Sequence, residues 1–160
     1  MKTKIQIAVE YPAWKGLANL RKQTRMAIDA CAKQAGPQIR RKSEISLLLC
    51  ADEKIKELNR NWRGIDKPTN VLSFPQGDVA HLAMLGDIAI SFDTIHREAK
   101  AEGKTLQDHY THMVIHGFLH LLGFDHIDQE EALEMEDLER QILASLGVSD
   151  PYASADLMRE

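Results

Sequence analysis

The sequence predicts a single α+β domain with a small, roughly four-stranded sheet packed with helices. Three observations carry this. Apolar runs of strand length occur at four places, and helical spacings fall both between and after them. The chain has 160 residues, 44% hydrophobic and 28% charged, enough for one real core and too few for two comfortable ones. The domain is expected to span residues 1–160, with a loosely held tail from about Ser149.

Each element follows from its local pattern. Lys4 to Val9 alternates like a half-buried strand, and Leu17, Leu20, Thr24, Ala27, Ile28 and Cys31 fall at helical spacing until Gly36-Pro37. Glu44 to Ala51 is a continuous apolar run of strand length. Asp52 then suits an N-cap for a helix carrying Ile55, Leu58 and Trp62, with Gly64 ending it. Asn70 to Phe74 and Gly86 to Ser91 read as short strands separated by a loop. Asp93 to Glu102 reads as a helix stopped by Gly103. Thr105 and Asp108 resemble a capping box opening a histidine-rich helix. A last helix is expected from about Gln129 to Ser145, with an inner face of Leu133, Leu138 and Ile142 and a solvated acidic face from Asp128 to Glu139.

Composition excludes several classes. No run of eighteen apolar residues exists, and no signal-type apolar block follows Met1, so a cytoplasmic protein with no membrane partner is expected. Cys31 and Cys50 are too few and too isolated for a disulfide framework or zinc cluster, and read as reduced core residues. The net charge of −4 is unevenly spread. From Tyr11 to Ser43 eight basic residues face only Asp29, whereas from Asp125 to Glu160 eleven acids face Arg140 and Arg159. Such asymmetry suits one face for a polyanion, or an ordinary charged helix face.

The chemistry concentrates between His116 and His126. Two histidines four residues apart lie about 40° apart around a helix axis, so His116 and His120 share a face. Gly123 supplies a position at which a helix can stop and turn back, which returns His126 toward the pair. Three neutral imidazoles with a fourth position open describe a catalytic zinc site, since structural zinc is usually closed by four protein ligands. His112 and His116 form a rival pair, but only the pair ending before Gly123 has a reversal to bring in a third ligand. His109 and His112 therefore read as outer donors or packing residues.

The spacing copies the zinc-protease pattern His-Glu-x-x-His-x-x-Gly-x-x-His except at the glutamate, where Gly117 stands. That carboxylate moves a proton from water to the leaving amine in the proteases. A phosphodiester mainly requires its developing negative charge neutralised and its nucleophile generated. The pattern leans away from peptide cleavage.

The residues His116-Gly117-x-Leu119-His120-Leu121-x-Gly123-x-Asp125-His126 resemble the signature of the YbeY-type bacterial endoribonucleases. Asn61-Trp62-Arg63-Gly64, with Pro68-Thr69-Asn70-Val71-Leu72-Ser73-Phe74-Pro75, resembles a second family segment, and Leu85-Gly86-Asp87-Ile88 a third. The similarity runs from about residue 44 to 152. Phe124 stands where the family often has tyrosine, so this chain lacks a hydroxyl there.

The resemblance implies an α+β fold and one zinc ion. It implies cleavage of RNA in maturation of the 3′ end of small-subunit (16S) rRNA, and a role in ribosome quality control. Partners would be single-stranded RNA, ribosomal RNA and the small ribosomal subunit. It also marks Arg63 as the catalytic residue, whose guanidinium can clamp the scissile or adjacent phosphate with two parallel hydrogen bonds or stabilise transition-state charge. Trp62 reads instead as a core or helix-face residue. Asp125 suits either a turn or the orientation of an imidazole or water. A zinc peptidase and a non-catalytic ribosome-assembly factor with a structural metal are the rival expectations.

Overall fold

A computed structural model describes residues 2–36, 39 and 42–153. The strands are β1 (Lys2–Val9), β2 (Lys42–Cys50), β3 (Val71–Pro75) and β4 (Met84–Ser91). The helices are α1 (Leu20–Ala35), α2 (Asp52–Arg63), α3 (Phe92–Glu102), α4 (Leu106–Leu121) and α5 (Gln129–Ser145). The expected α+β domain with a four-stranded sheet is present. Strand order is β1-β2-β4-β3, parallel between β1, β2 and β4 and antiparallel between β4 and β3. β3 is therefore an edge strand.

Strand alternation divides the core between two faces. Ile45, Leu47, Leu49, Ile88 and Ile90 point to one face and meet α1 and α4, where the main core lies. Leu48, Leu72, Phe74 and Ala89 point to the other, where Ile55 and Leu58 of α2 cover part of the sheet. The apolar run in β2 is continuous because both faces of its second half are packed.

α4 is buried on nearly every side, which sets the position of everything it carries. Its Tyr110 hydroxyl shares a 2.7 Å hydrogen bond with Thr24 of α1, and its ring packs edge-on against Trp14 at 5.4 Å. The Trp14 indole donates to the Cys50 carbonyl at 3.0 Å. The N-terminal residues thus brace the central helix. Both cysteines are free thiols in the core, and burial raises the pKa of each.

Helix ends show which local signals operate. Thr105 Oγ1 accepts from the Asp108 amide at 3.1 Å, and Asp128 Oδ1 caps α5 through the Glu131 amide at 2.8 Å. Asp52 is not the expected N-cap. Ala51 holds that position, and the Asp52 carboxylate turns to α3, accepting from Ser91, Thr94 and Arg97 at 2.6–2.8 Å. Gly86 lies where the β2–β4 register shifts, at φ +148°, and a Cβ there would stand 2.7 Å from Leu121 Cδ2 at the end of α4.

Of the expected tail, residues 149–153 are described. Asp150 accepts from Arg140 Nε at 3.1 Å, and the half-buried Tyr152 hydroxyl reaches Glu139. The rest of that segment, 154–160, lies outside the described residues, as do Arg40 and Arg41 of the basic stretch. No helix among the described residues is long and apolar enough to cross a membrane.

Candidate metal centre

The three histidines singled out by spacing come together. His116 and His120 lie one turn apart near the end of α4, their ring centroids 4.7 Å apart. The helix closes when the Gly123 amide donates to the His120 carbonyl and the Phe124 amide to the Leu119 carbonyl. Gly123 turns the chain at φ +102°, a conformation that side chains strongly disfavour. His126 is thereby returned to within 5.7 Å of His116 and 5.0 Å of His120, centroid to centroid. Asp125 Oδ1 accepts from the His126 amide at 2.8 Å, which is a turn role.

Donor geometry fits a metal ion. One ligand nitrogen from each histidine lies within 4.8 Å of the others, and the Nε2 atoms of His116 and His120 are 3.2 Å apart. Tetrahedral zinc bonded to nitrogen at about 2.0–2.1 Å separates neighbouring nitrogens by roughly 3.3 Å. Burial, with the neighbouring His116 and His126, holds His120 below the ordinary imidazole range, so it favours the neutral form a ligand needs. His116 and His120 are half-buried while His126 is exposed, which leaves one side of the cluster toward solvent.

Glu139 was expected on the solvated face of α5 and is instead 1% exposed. The helix is turned relative to that expectation. Met135, Glu139, Ile142 and Leu143 face inward, and Leu133 is 42% exposed. Glu139 Oε1 lies 2.6 Å from His112 Nε2 and 3.1 Å from His116 Nδ1, with the Tyr152 hydroxyl donating to both its oxygens. Burial alone would raise the pKa of this carboxyl. Hydrogen bonds from His112 and His116 outweigh it and bring the value down to about 2. An ionised carboxylate only accepts, so His116 donates from Nδ1 and keeps its Nε2 lone pair for the cluster.

His112, His116 and Glu139 also offer three ligand atoms within 4.8 Å. In that group the imidazole nitrogens are already bonded to the carboxylate. Burial foremost lowers the pKa of His112, which keeps it a neutral donor. His109 plays a parallel part, with Nε2 2.8 Å from Glu98 Oε1, while the Asn70 amide donates to the same carboxylate at 3.2 Å. Both histidines thus act as outer donors that tie α4 to its neighbours.

The absent glutamate has a packing cause. A Cβ at Gly117 would stand 2.9 Å from Ile88 Cγ2, 3.2 Å from Ser73 Oγ and 3.3 Å from Val71 Cγ2. Ser73 Oγ also donates to the Gly117 carbonyl at 2.9 Å. The helix presses its glycine against β4 and the edge strand β3, leaving no room for a side chain. Gly117→Ala should destabilise the protein by about 1–3 kcal/mol through overpacking, less a gain of about 1 kcal/mol in helix propensity. Urea denaturation would show this, and a raised midpoint, the full gain in helix propensity with no overpacking, would refute the close contact.

Arg63 lines a different pocket from His116 and His126. It is the last residue of α2, followed by Gly64 at φ +71°. It lines a groove with Leu48, Leu58, Trp62, Phe74 and Ala89, on the face of the sheet opposite α4. Trp62 is 72% exposed rather than a core residue. Glu139 and Tyr152 are the participants that the sequence reading missed. Glu139 had a signal, because it shares the inward stripe of Met135 and Ile142.

A mixed sheet with a three-imidazole cluster on its buried central helix and the turn that follows defines a class, the α+β proteins whose clustered histidines could hold a metal ion. The comparisons narrow this class to one family. Residues 10–147 match the family model described as Endoribonuclease YbeY. A relative named Endoribonuclease YbeY from Methylocella silvestris is 47% identical over 153 residues, covering 95% of this chain and 87% of its own. One of the same name from Beijerinckia indica is 50% identical over 156 residues, covering 92% and 76%. A solution structure from Thermotoga maritima is 28% identical with a TM-score of 0.54, covering 89% of this chain and 91% of that one. The chain belongs to the Endoribonuclease YbeY family.

Proposed function

We propose that this protein is a zinc-dependent endoribonuclease that cleaves single-stranded RNA in maturation of the 3′ end of small-subunit (16S) rRNA and in ribosome quality control. The observation that carries the reading is the convergence of His116, His120 and His126, with Glu139 fixing the tautomer of His116. Three imidazole donors with one position left open support zinc as the ion. Zinc in that position supplies Lewis acidity and lowers the pKa of water.

The chain's own residues do the rest. The three imidazoles hold the ion, and the His112–Glu139–Tyr152 network holds His116 in register. Gly117 offers no group to protonate a leaving amine, which favours a phosphodiester over a peptide. Arg63, across the sheet from the histidines, grips a phosphate some distance along the strand from the one that is cut. Membership of an endoribonuclease family supports RNA as the substrate class. Ribosomal RNA and the small subunit rest on the motif resemblance, and together with a cytoplasmic location are part of the same proposal.

The test is to incubate zinc-loaded protein with single-stranded RNA, the matching duplex and an unstructured polypeptide. Cleavage confined to the single strand is expected. Arg63→Ala should keep its zinc and raise KM by roughly 10-fold or more, the cost of a lost hydrogen bond to a charged group. Cleaved polypeptide would favour a peptidase. Stoichiometric ribosome binding with no cleavage by highly purified protein would favour an assembly factor.

A further inference from the structure

Among the described residues seven large apolar side chains stand exposed, and Trp62 is the one aromatic among them. Trp62 presents 72% of its surface to solvent from the last turn of α2, next to Arg63. One edge of the Trp62–Phe74 pair is set, with ring centroids 6.0 Å apart and planes at 64°. Together they wall a groove of about 780 Å³ whose floor is the outer face of the sheet, with Leu48, Leu58 and Ala89 beneath. Ser46, Gln76 and Asp87 add hydrogen-bonding groups to the lining. Exposing an indole in water forgoes the stabilisation its burial would bring, and nothing in the packing of α2 requires it there, since Ile55 and Leu58 already face the sheet.

We infer that this groove is a nucleobase-stacking subsite for single-stranded RNA, so that the substrate wraps the edge strand β3 from the histidine cluster on one face to Trp62 on the other. The inference rests on the proposed RNA cleavage and names where the strand goes. An aromatic platform beside a guanidinium is the combination that binds single strands without sequence preference, the ring taking a base face and the cation a neighbouring phosphate. The route is short. Ser73 and Phe74 are consecutive residues on β3, and their side chains point to opposite faces. Ser73 touches Gly117, the residue after the ligand His116, whereas Phe74 supports Trp62. One edge strand separates the two sites, and no further strand lies beyond it among the described residues.

The molecule contains its own reporter. Of its two tryptophans, Trp14 is fully buried and hydrogen-bonded to the Cys50 carbonyl, so only Trp62 is open to a base. Unlabelled single-stranded oligonucleotides of increasing length should quench tryptophan fluorescence in zinc-loaded wild type and not in Trp62→Phe. Trp62→Ala should raise KM for single-stranded RNA by about 5- to 100-fold, the span of one lost base stack, with little change in kcat. Trp62→Phe should recover part of that loss. Its exposure means that both variants keep the fold, which circular dichroism checks. RNA cleavage without quenching and with an unchanged KM in Trp62→Ala overturns the subsite alone. Quenching without any cleavage overturns the nuclease reading and leaves the subsite standing. Quenching by an unstructured apolar peptide but not by oligonucleotides overturns the choice of ligand.

Discussion

Replacing His120 by alanine should empty the metal site and stop RNA cleavage while the domain stays folded. Its imidazole is half-buried at the end of α4, and the helix is anchored independently by Phe118, Leu119 and Leu121, all buried. Two remaining imidazoles cannot define the geometry that three impose, so zinc content should fall from one equivalent to near zero. Activity should fall by more than the roughly 100-fold that outer contacts to a metal ligand can cost. Metal analysis alongside an RNA digestion assay measures both. A variant that lost its zinc and still cleaved as before would remove the metal from the catalytic account.

The second large effect is expected at Glu139, a residue that touches His116 and not the cluster's open side. Glu139→Gln keeps the shape but can accept through only one oxygen, and Glu139→Leu accepts nothing. The leucine variant leaves His116 Nδ1 without its partner, and leaves His112 Nε2 and the Tyr152 hydroxyl with only each other at 3.2 Å. Each buried polar group so orphaned costs about 1–3 kcal/mol. Zinc affinity, read by chelator competition, should weaken by about 10- to 100-fold because the His116 ring loses its orientation.

The pH dependence gives a separate readout. The folded pKa of Glu139, about 2, is depressed below its ordinary 4.5, so its stabilisation is complete above about pH 4.5 and is lost as pH falls toward 2. In metal-free protein, the denaturation midpoint of wild type should drop more steeply across that window than that of Glu139→Gln. Parallel slopes would mean that the carboxylate is not held by its imidazole partners.

The parts of the centre that could be read in the chain were those set by local spacing. His116 and His120 share a helix face through the 3.6-residue repeat, and Gly123 with His126 supplies a turn whose geometry depends on few neighbours. The strands were legible for the same reason, since alternation in β1 and the apolar run in β2 answer directly to which faces are covered. Glu139 escaped although it shares a helical stripe with Met135 and Ile142, because an acid among acids reads as solvated and its partners are 23 and 27 residues away. Trp62 escaped by the opposite route. An apolar residue in phase with Ile55 and Leu58 reads as core, yet α2 ends past the edge of what it covers. Asp52 carries a capping residue's chemistry but spends it on α3, a long-range contact that local propensity cannot anticipate. Which groove Arg63 lines could not be read locally, because which face of the sheet α2 covers is a matter of topology.

X-ray absorption spectroscopy at the zinc edge, on protein loaded with one equivalent, addresses the centre most directly. Three imidazole nitrogens at about 2.0 Å and one exchangeable oxygen donor are expected. In His126→Ala one of the imidazole contributions should disappear. A shell closed by four protein ligands, or one that His126→Ala leaves intact, would contradict an open three-histidine centre and the chemistry built upon it.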